Sequence, residues 1–271
     1  MMSKCTNTLI ATLLFSAPSE AAKTIKKLPI TIKKSGTYVL KKDQVYKNSS
    51  GAAIAVEAPN VTIDLGGFLL STDALANDTN GTIGISWAGT GMLTVRNGTV
   101  RGFLHGLQLE GVIGSGRVTV EDVIVEGSGS IGIRAAAEAV TVRSCQVRNT
   151  GFVTTGVVFI IVGISVTAAT SRIEHCRVDN LLTPGGQDLR GIESQAARGS
   201  TIHANEVRSA IQFDIGIAVF LGTANFVTDN AIANCVVGLG FINPAQGKYR
   251  DNLTEDCATP FQGGTSVGTN S

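Results

Sequence analysis

Val61-Thr62-Ile63-Asp64, Leu93-Thr94-Val95-Arg96, Val118-Thr119-Val120-Glu121 and Val140-Thr141-Val142-Arg143 are one pattern written four times. In each, an apolar residue precedes threonine, a β-branched residue follows it, and a charge closes the unit. Alternation of period two puts the apolar pair on one face and the threonine and the charge on the other, the mark of a half-buried strand. The pattern runs on, worn, as Arg172-Ile173-Glu174, Thr201-Ile202-His203, Phe226-Val227-Thr228 and Tyr249-Arg250. Ile63, Val95, Val120, Val142, Ile173, Ile202, Val227 and Tyr249 therefore make one inward column.

Two further columns flank it. Upstream stands a glycine followed by Ile or Leu: Gly84-Ile85, Gly106-Leu107, Gly132-Ile133, Gly163-Ile164, Gly191-Ile192, Gly216-Ile217 and Gly238-Leu239, with Ala53-Ile54 as an earlier copy. Successive copies lie 22 to 31 residues apart, the range in which a period implies a solenoid. Downstream stand Leu69, Val100, Val125, Val147, Val178, Val207 and Ile232. Three apolar columns of similar spacing predict three parallel sheets around one core. No long segment has the 3.6-residue period of an amphipathic helix.

The turn between the second and third strands reads Gly67, Gly98, Val123, Cys145, Cys176, Asn205, Asn230 and Asn252. Asparagines stacked at the strand spacing can pass amide hydrogen bonds from one rung to the next. Composition agrees. Of 271 residues 32 are glycine and only six proline, 43% are apolar and 16% charged, so the chain can build a core and is rich in turns. A net charge of +1 gives no electrostatic reason to expect nucleic acid as a partner.

These motifs resemble the right-handed parallel β-helix repeat proteins of the pectin-lyase-like superfamily, over about residues 30 to 257. The stretch Gly36-Thr37-Tyr38 through Asn60 to Gly67 resembles the opening rung of such proteins. The resemblance implies an all-β fold, a single right-handed parallel β-helix of about eight rungs with three parallel sheets and a short N-terminal cap. Residues 1–22 read as a signal peptide: Lys4, an apolar run from Leu9 to Phe15, Pro18, and the small-x-small Ser19-Glu20-Ala21. Residues 23–50 then read as the cap, 51–257 as the β-helix and 258–271 as a tail. The expected location is secreted or periplasmic. No segment is long and apolar enough for a membrane span.

Outward charges alternate in sign in two rows: Asp64, Arg96, Glu121, Arg143, Glu174, His203 on the second strand, and Arg101, Glu126, Arg148, Asp179, Arg208 on the third. They read as ladders that fix register rather than as an active site. His175 and His203 belong to a turn and a ladder, and His105 has no evident partner. Cys145 with Cys176, and Cys235 with Cys257, share turn columns on adjacent rungs. Each pair is a disulfide candidate or a stack of buried thiols. Cys5 leaves with the signal. No spacing suggests a metal site or a cofactor.

In the enzymes that the resemblance brings in, substrate lies on the first sheet, here the Gly-Ile column. Arg134 resembles the arginine base of the lyases, with Glu110 and Glu193 as assisting residues. Glu57, Trp87, Gln108, Gln195, Asp188 and Arg190 are the candidate substrate-binding residues. The Asn-Thr-Asp, Asp-Asp, Gly-His-Gly and Arg-Ile-Lys motifs of the polygalacturonases are missing, as are the clustered calcium-binding aspartates of the pectate lyases. Aromatics are 5% of the chain, few for a sugar-stacking platform. Two insertions, Thr150 to Val162 and Leu181 to Arg190, rise along one edge of the first sheet. The first is apolar enough to serve as an oligomer contact. The leading expectation is an exported protein that binds a polysaccharide, a cell-surface glycan or another surface partner through the first sheet and its loop edge. The alternatives are a polysaccharide lyase or glycoside hydrolase with a non-standard site, and a structural or adhesive spike-like module.

Overall fold

A computed structural model describes residues 21–73, 81–151, 160–182, 188–242 and 244–271. Among these residues there is no helix, and every strand pairing is parallel. The chain winds as a β-solenoid of about eight turns. Each turn supplies one strand to each of three sheets. The first sheet contains His105–Glu110 with the opening halves of Ile131–Arg143, Ile160–Glu174 and Asp188–His203. The second contains Val61–Asp64 and the opening halves of Met92–Arg101 and Arg117–Glu126. The third contains Leu69–Thr72, Gln146–Thr150 and Arg177–Leu181.

The three inward columns meet in one core. Ile54, Ile85, Leu107, Ile133, Ile164, Ile192, Ile217 and Leu239 from the first sheet are fully buried, as are Ile63, Val95, Val120, Val142, Ile173, Ile202 and Val227 from the second. Full burial of such a side chain stabilises by roughly 1.5–3 kcal/mol, so the repeat itself supplies the driving force. The third column begins at Leu70 and not at Leu69. Leu70 pairs with Val100 and is buried, while Leu69 pairs with Thr99. The cause is the corner before it, where Gly66 and Gly67 both have positive φ (62° and 79°) and which is two residues longer than the next one, Asp64 to Leu70 against Arg96 to Val100.

Those later corners turn on a single left-handed residue: Asn97, Asp122, Ser144, His175, Ala204, Asp229 and Asp251, with φ between 51° and 60°. Asn and Asp tolerate this region better than most residues. The residue that follows each points inward, and from Asn205 onward it builds a continuous amide ladder. The Oδ1 atoms of Asn205, Asn230, Asn252 and Asn270 accept the backbone N–H of Cys176, Asn205, Asn230 and Asn252 at 2.9, 2.9, 3.1 and 3.2 Å. The Nδ2 of Asn205, Asn230 and Asn252 each donates to a carbonyl of the preceding turn, Ile173 at 3.0 Å, Ile202 at 3.1 Å and Val227 at 2.9 Å. Cys145 and Cys176 make the same bonds with sulfur. Cys176 Sγ donates to Glu174 O (3.3 Å) and Val142 O (3.6 Å), and Cys145 Sγ to Arg143 O (3.2 Å) and Val120 O (3.6 Å). A thiol there is a weaker asparagine.

The glycines of the Gly-Ile element leave room for the third sheet. A Cβ on Gly132 would lie 2.4 Å from Val147 Cγ1, and one on Gly163 2.5 Å from Val178 Cγ1. The alternating charges pair across turns: Arg96 with Asp64 (3.1 Å), Arg101 with Glu126 (3.0 Å), Arg208 with Asp179 (3.0 Å), and Arg143 with Glu121. The segments read as cap and tail are themselves wound into the coil. Lys23–Ile25, Ile30–Ile32 and Gln44–Tyr46 pair with the turn after them, and Thr259–Gln262 and Thr265–Ser266 with the turn before.

Candidate functional site

The outer face of the first sheet carries three rows of side chains along the coil axis. One runs Ser86, Gln108, Arg134, Ser165, Glu193, Ala218. A second runs Glu110, Ala136, Thr167, Gln195. The third runs His105, Ile131, Val162, Arg190, Ile215. The Gly-Ile geometry creates this last row. The glycine turns inward beside the isoleucine, so the residue before it is thrown to the outside.

Glu110 and Arg134 come together. Arg134 Nε lies 2.7 Å from Glu110 Oε1, and Gln108 Nε2 donates to Glu110 Oε2 at 3.1 Å. His105 joins them on the neighbouring row. Burial, and then the Arg134 charge, push its imidazole below the usual histidine value against an opposing pull from Glu110. Its Nδ1 is buried without a hydrogen-bond partner. His105 therefore belongs to the cluster, although the sequence offered it no partner; the usable signal was its place directly before Gly106.

Asp188, Arg190, Glu193 and Gln195 make a second cluster. Arg190 pairs with Asp188 and, at 2.7 Å, with Glu193 Oε2. Gln195 Nε2 donates to Glu193 Oε1 at 2.5 Å. The Arg190 guanidinium stacks 4.7 Å from the centre of the Phe220 ring. Burial works against the Arg190 charge, but the hydrogen bonds it donates to Asp188 and Glu193 outweigh burial and hold the group above its usual value. Glu193 is only 5% exposed, so it anchors Arg190 rather than facing solvent. Ser165 and Thr167 occupy the turn between the clusters, in register with Arg134 and Ala136 below and Glu193 and Gln195 above.

Two expected residues stand elsewhere. Trp87 points into the coil and is 1% exposed, because it continues the inward column of Val56 and Leu109. It cannot offer its face to a sugar. Glu57 is exposed at the edge and 3.8 Å from Lys33, outside both clusters. The middles of the two insertions, 152–159 and 183–187, lie outside the described residues, as do residues 1–20 of the expected signal. At their described ends Thr150 and Leu189 are buried, whereas Ile160 and Leu182 are exposed.

The geometry bears directly on chemistry. Glu110 and Glu193 lie three turns apart, about 14 Å along the axis at the strand spacing. A glycosidase pair needs about 5–9.5 Å. Arg134 is closed onto Glu110, so its guanidinium is not free to act on a substrate in this geometry. Among the described residues no three His, Cys, Asp or Glu side chains gather as metal ligands, and no helix is long and apolar enough to cross a membrane. No protein-family model matches the chain, and no curated protein or solved structure matches it either. What fold and site define together is a class, a parallel β-solenoid with a polar strip along one sheet.

Proposed function

We propose that this is an exported β-solenoid of pectin-lyase-like type that binds a polysaccharide or cell-surface glycan along the outer face of its first sheet. One observation carries the reading. His105, Gln108, Glu110, Arg134, Ser165, Thr167, Glu193 and Gln195 line the outer side of the first sheet over successive turns, Ser165 and Glu193 buried and the other six at least partly open to solvent. Hydrogen-bonding groups repeated at about 4.8 Å suit an extended polymer lying along the axis. With Trp87 buried, recognition rests on hydrogen bonds and on Arg134, the exposed cation of the strip, which a polymer carboxylate would take over from Glu110. The paired state of Arg134 and the wide separation of Glu110 and Glu193 favour binding over cleavage.

The test is a panel of uronic-acid and neutral polysaccharides, with binding followed by titration calorimetry. Absorbance of unsaturated ends and release of reducing ends are followed in parallel. Saturable binding to a uronic-acid polymer without turnover is expected. Turnover would make the protein an enzyme and overturn the reading, and so would failure of every polymer to bind.

A further inference from the structure

The four described cysteines divide into two pairs with different surroundings. Cys145 and Cys176 sit in the interior corner, where each thiol hydrogen is used as a donor to two carbonyls of the amide ladder. A bridge between them would remove both of these donors from the ladder. The contact with Cys176, together with burial, holds the Cys145 thiol above its ordinary value, and the same contact lowers Cys176.

Cys235 and Cys257 occupy the other kind of corner, between the third and first sheets in the last two turns. In the turn before, the position of Cys235 is filled by Phe213. The backbone N–H of Ala258 donates to Cys235 O at 3.2 Å, which holds the two turns in register. Here the side chains converge rather than run parallel, and the two Sγ atoms are 2.8 Å apart. Stacked turns fall within the Cα separation that a disulfide tolerates, and closure needs less than about 1 Å of further approach. Cys235 is buried, but Cys257 is half-exposed and open to a reagent.

We infer that Cys235 and Cys257 close into a disulfide that staples the final turn of the coil, whereas Cys145 and Cys176 remain thiols as members of the amide ladder. The oxidant is a low-molecular-weight disulfide. Cys257 thiolate attacks one of its sulfurs, forms a mixed disulfide and releases the first small thiol. Cys235 sulfur then attacks Cys257 Sγ, releases the second small thiol and gives up its proton. Two protein thiols are oxidised by two electrons, and one small disulfide is reduced to two thiols. The bridge encloses the segment from 235 to 257 and so ties the end of the solenoid to the turn beneath it.

The experiment is a thiol map of the full chain. The folded protein is equilibrated with oxidised glutathione, unfolded in guanidinium with N-ethylmaleimide and no reductant, digested, and read by mass spectrometry. The expected result is one cross-linked peptide pair joining Cys235 to Cys257, two hydrogens lighter than the sum of the free peptides, with Cys145 and Cys176 both alkylated. Alkylation of Cys235 and Cys257 overturns the inference, and so does a Cys145–Cys176 link. Cys257→Ser serves as a control: the cross-linked pair disappears and no other pair replaces it. The wild-type map decides the matter even if that variant folds poorly.

Discussion

Asn230→Ala lowers the free energy of unfolding by about 2–4 kcal/mol, read as a shift in the denaturant midpoint with little change in slope. The size follows from the number of bonds centred on one side chain. Asn230 Oδ1 accepts both the backbone N–H and the Nδ2 of Asn205 at 2.9 Å, and its Nδ2 donates to Thr228 O, Ile202 O and Asn252 Oδ1. Asn230 is 1% exposed, so water cannot replace what alanine removes, and each group left unpaired bears its own desolvation cost. Asn230→Cys should cost clearly less than Asn230→Ala. At the same corner Cys145 and Cys176 already show that a thiol keeps the two carbonyl contacts. If the alanine and cysteine variants prove equally unstable, the carbonyl bonds do not carry the effect.

Gly191→Ala is expected to destabilise by about 1–3 kcal/mol through a different cause, the volume of one methyl group. A Cβ there would lie 2.2 Å from Val207 Cγ1 and 2.6 Å from the carbonyl oxygen of Gly216. The valine can be shortened, but the carbonyl belongs to the next turn and moves only if that turn moves. Gly191→Ala combined with Val207→Ala should therefore cost less than the sum of the two single changes, with part of the penalty remaining. Thermal unfolding of the three variants measures this coupling. Strict additivity would mean that the glycine is not there to admit Val207.

The fold was legible because a solenoid repeats its local instructions. Columns such as Ile63, Val95 and Val120 can be aligned with no knowledge of distant contacts, since each residue meets its own counterpart one turn away. The misplaced Leu69 marks where that logic breaks. The corner at Gly66 and Gly67 holds two residues more than the next one, Asp64 to Leu70 against Arg96 to Val100, so a column placed at Leu69 falls one residue short and onto the other face. The candidate site was harder to read for a related reason. Trp87 is two residues beyond Ile85, so alternation alone already placed it inside, and its aromatic character drew it into the substrate list. His105 was missed because the inward turn of Gly106 interrupts strict alternation and returns the preceding residue to the surface. The link between Arg190 and Glu193 spans three residues of one irregular strand, and it needs Phe220 from the following turn to complete it. Function itself was the least legible, because the polar strip lacks the fixed motifs by which carbohydrate-cleaving β-helices are told apart.

Arg134 and Arg96 offer a matched comparison for the claim that the first sheet is the recognition face. Each is paired with one carboxylate, Glu110 for Arg134 and Asp64 for Arg96, and their side chains are 47% and 44% exposed. They stand on different sheets. The deciding measurement is the affinity of Arg134→Ala and Arg96→Ala for the uronic-acid polymer that the wild-type protein binds, taken at one salt concentration. Loss of at least about tenfold for Arg134→Ala, some 1.4 kcal/mol, with wild-type affinity in Arg96→Ala, is the predicted result. Equal losses in the two variants, or a loss in Arg96→Ala alone, would contradict recognition by the first sheet.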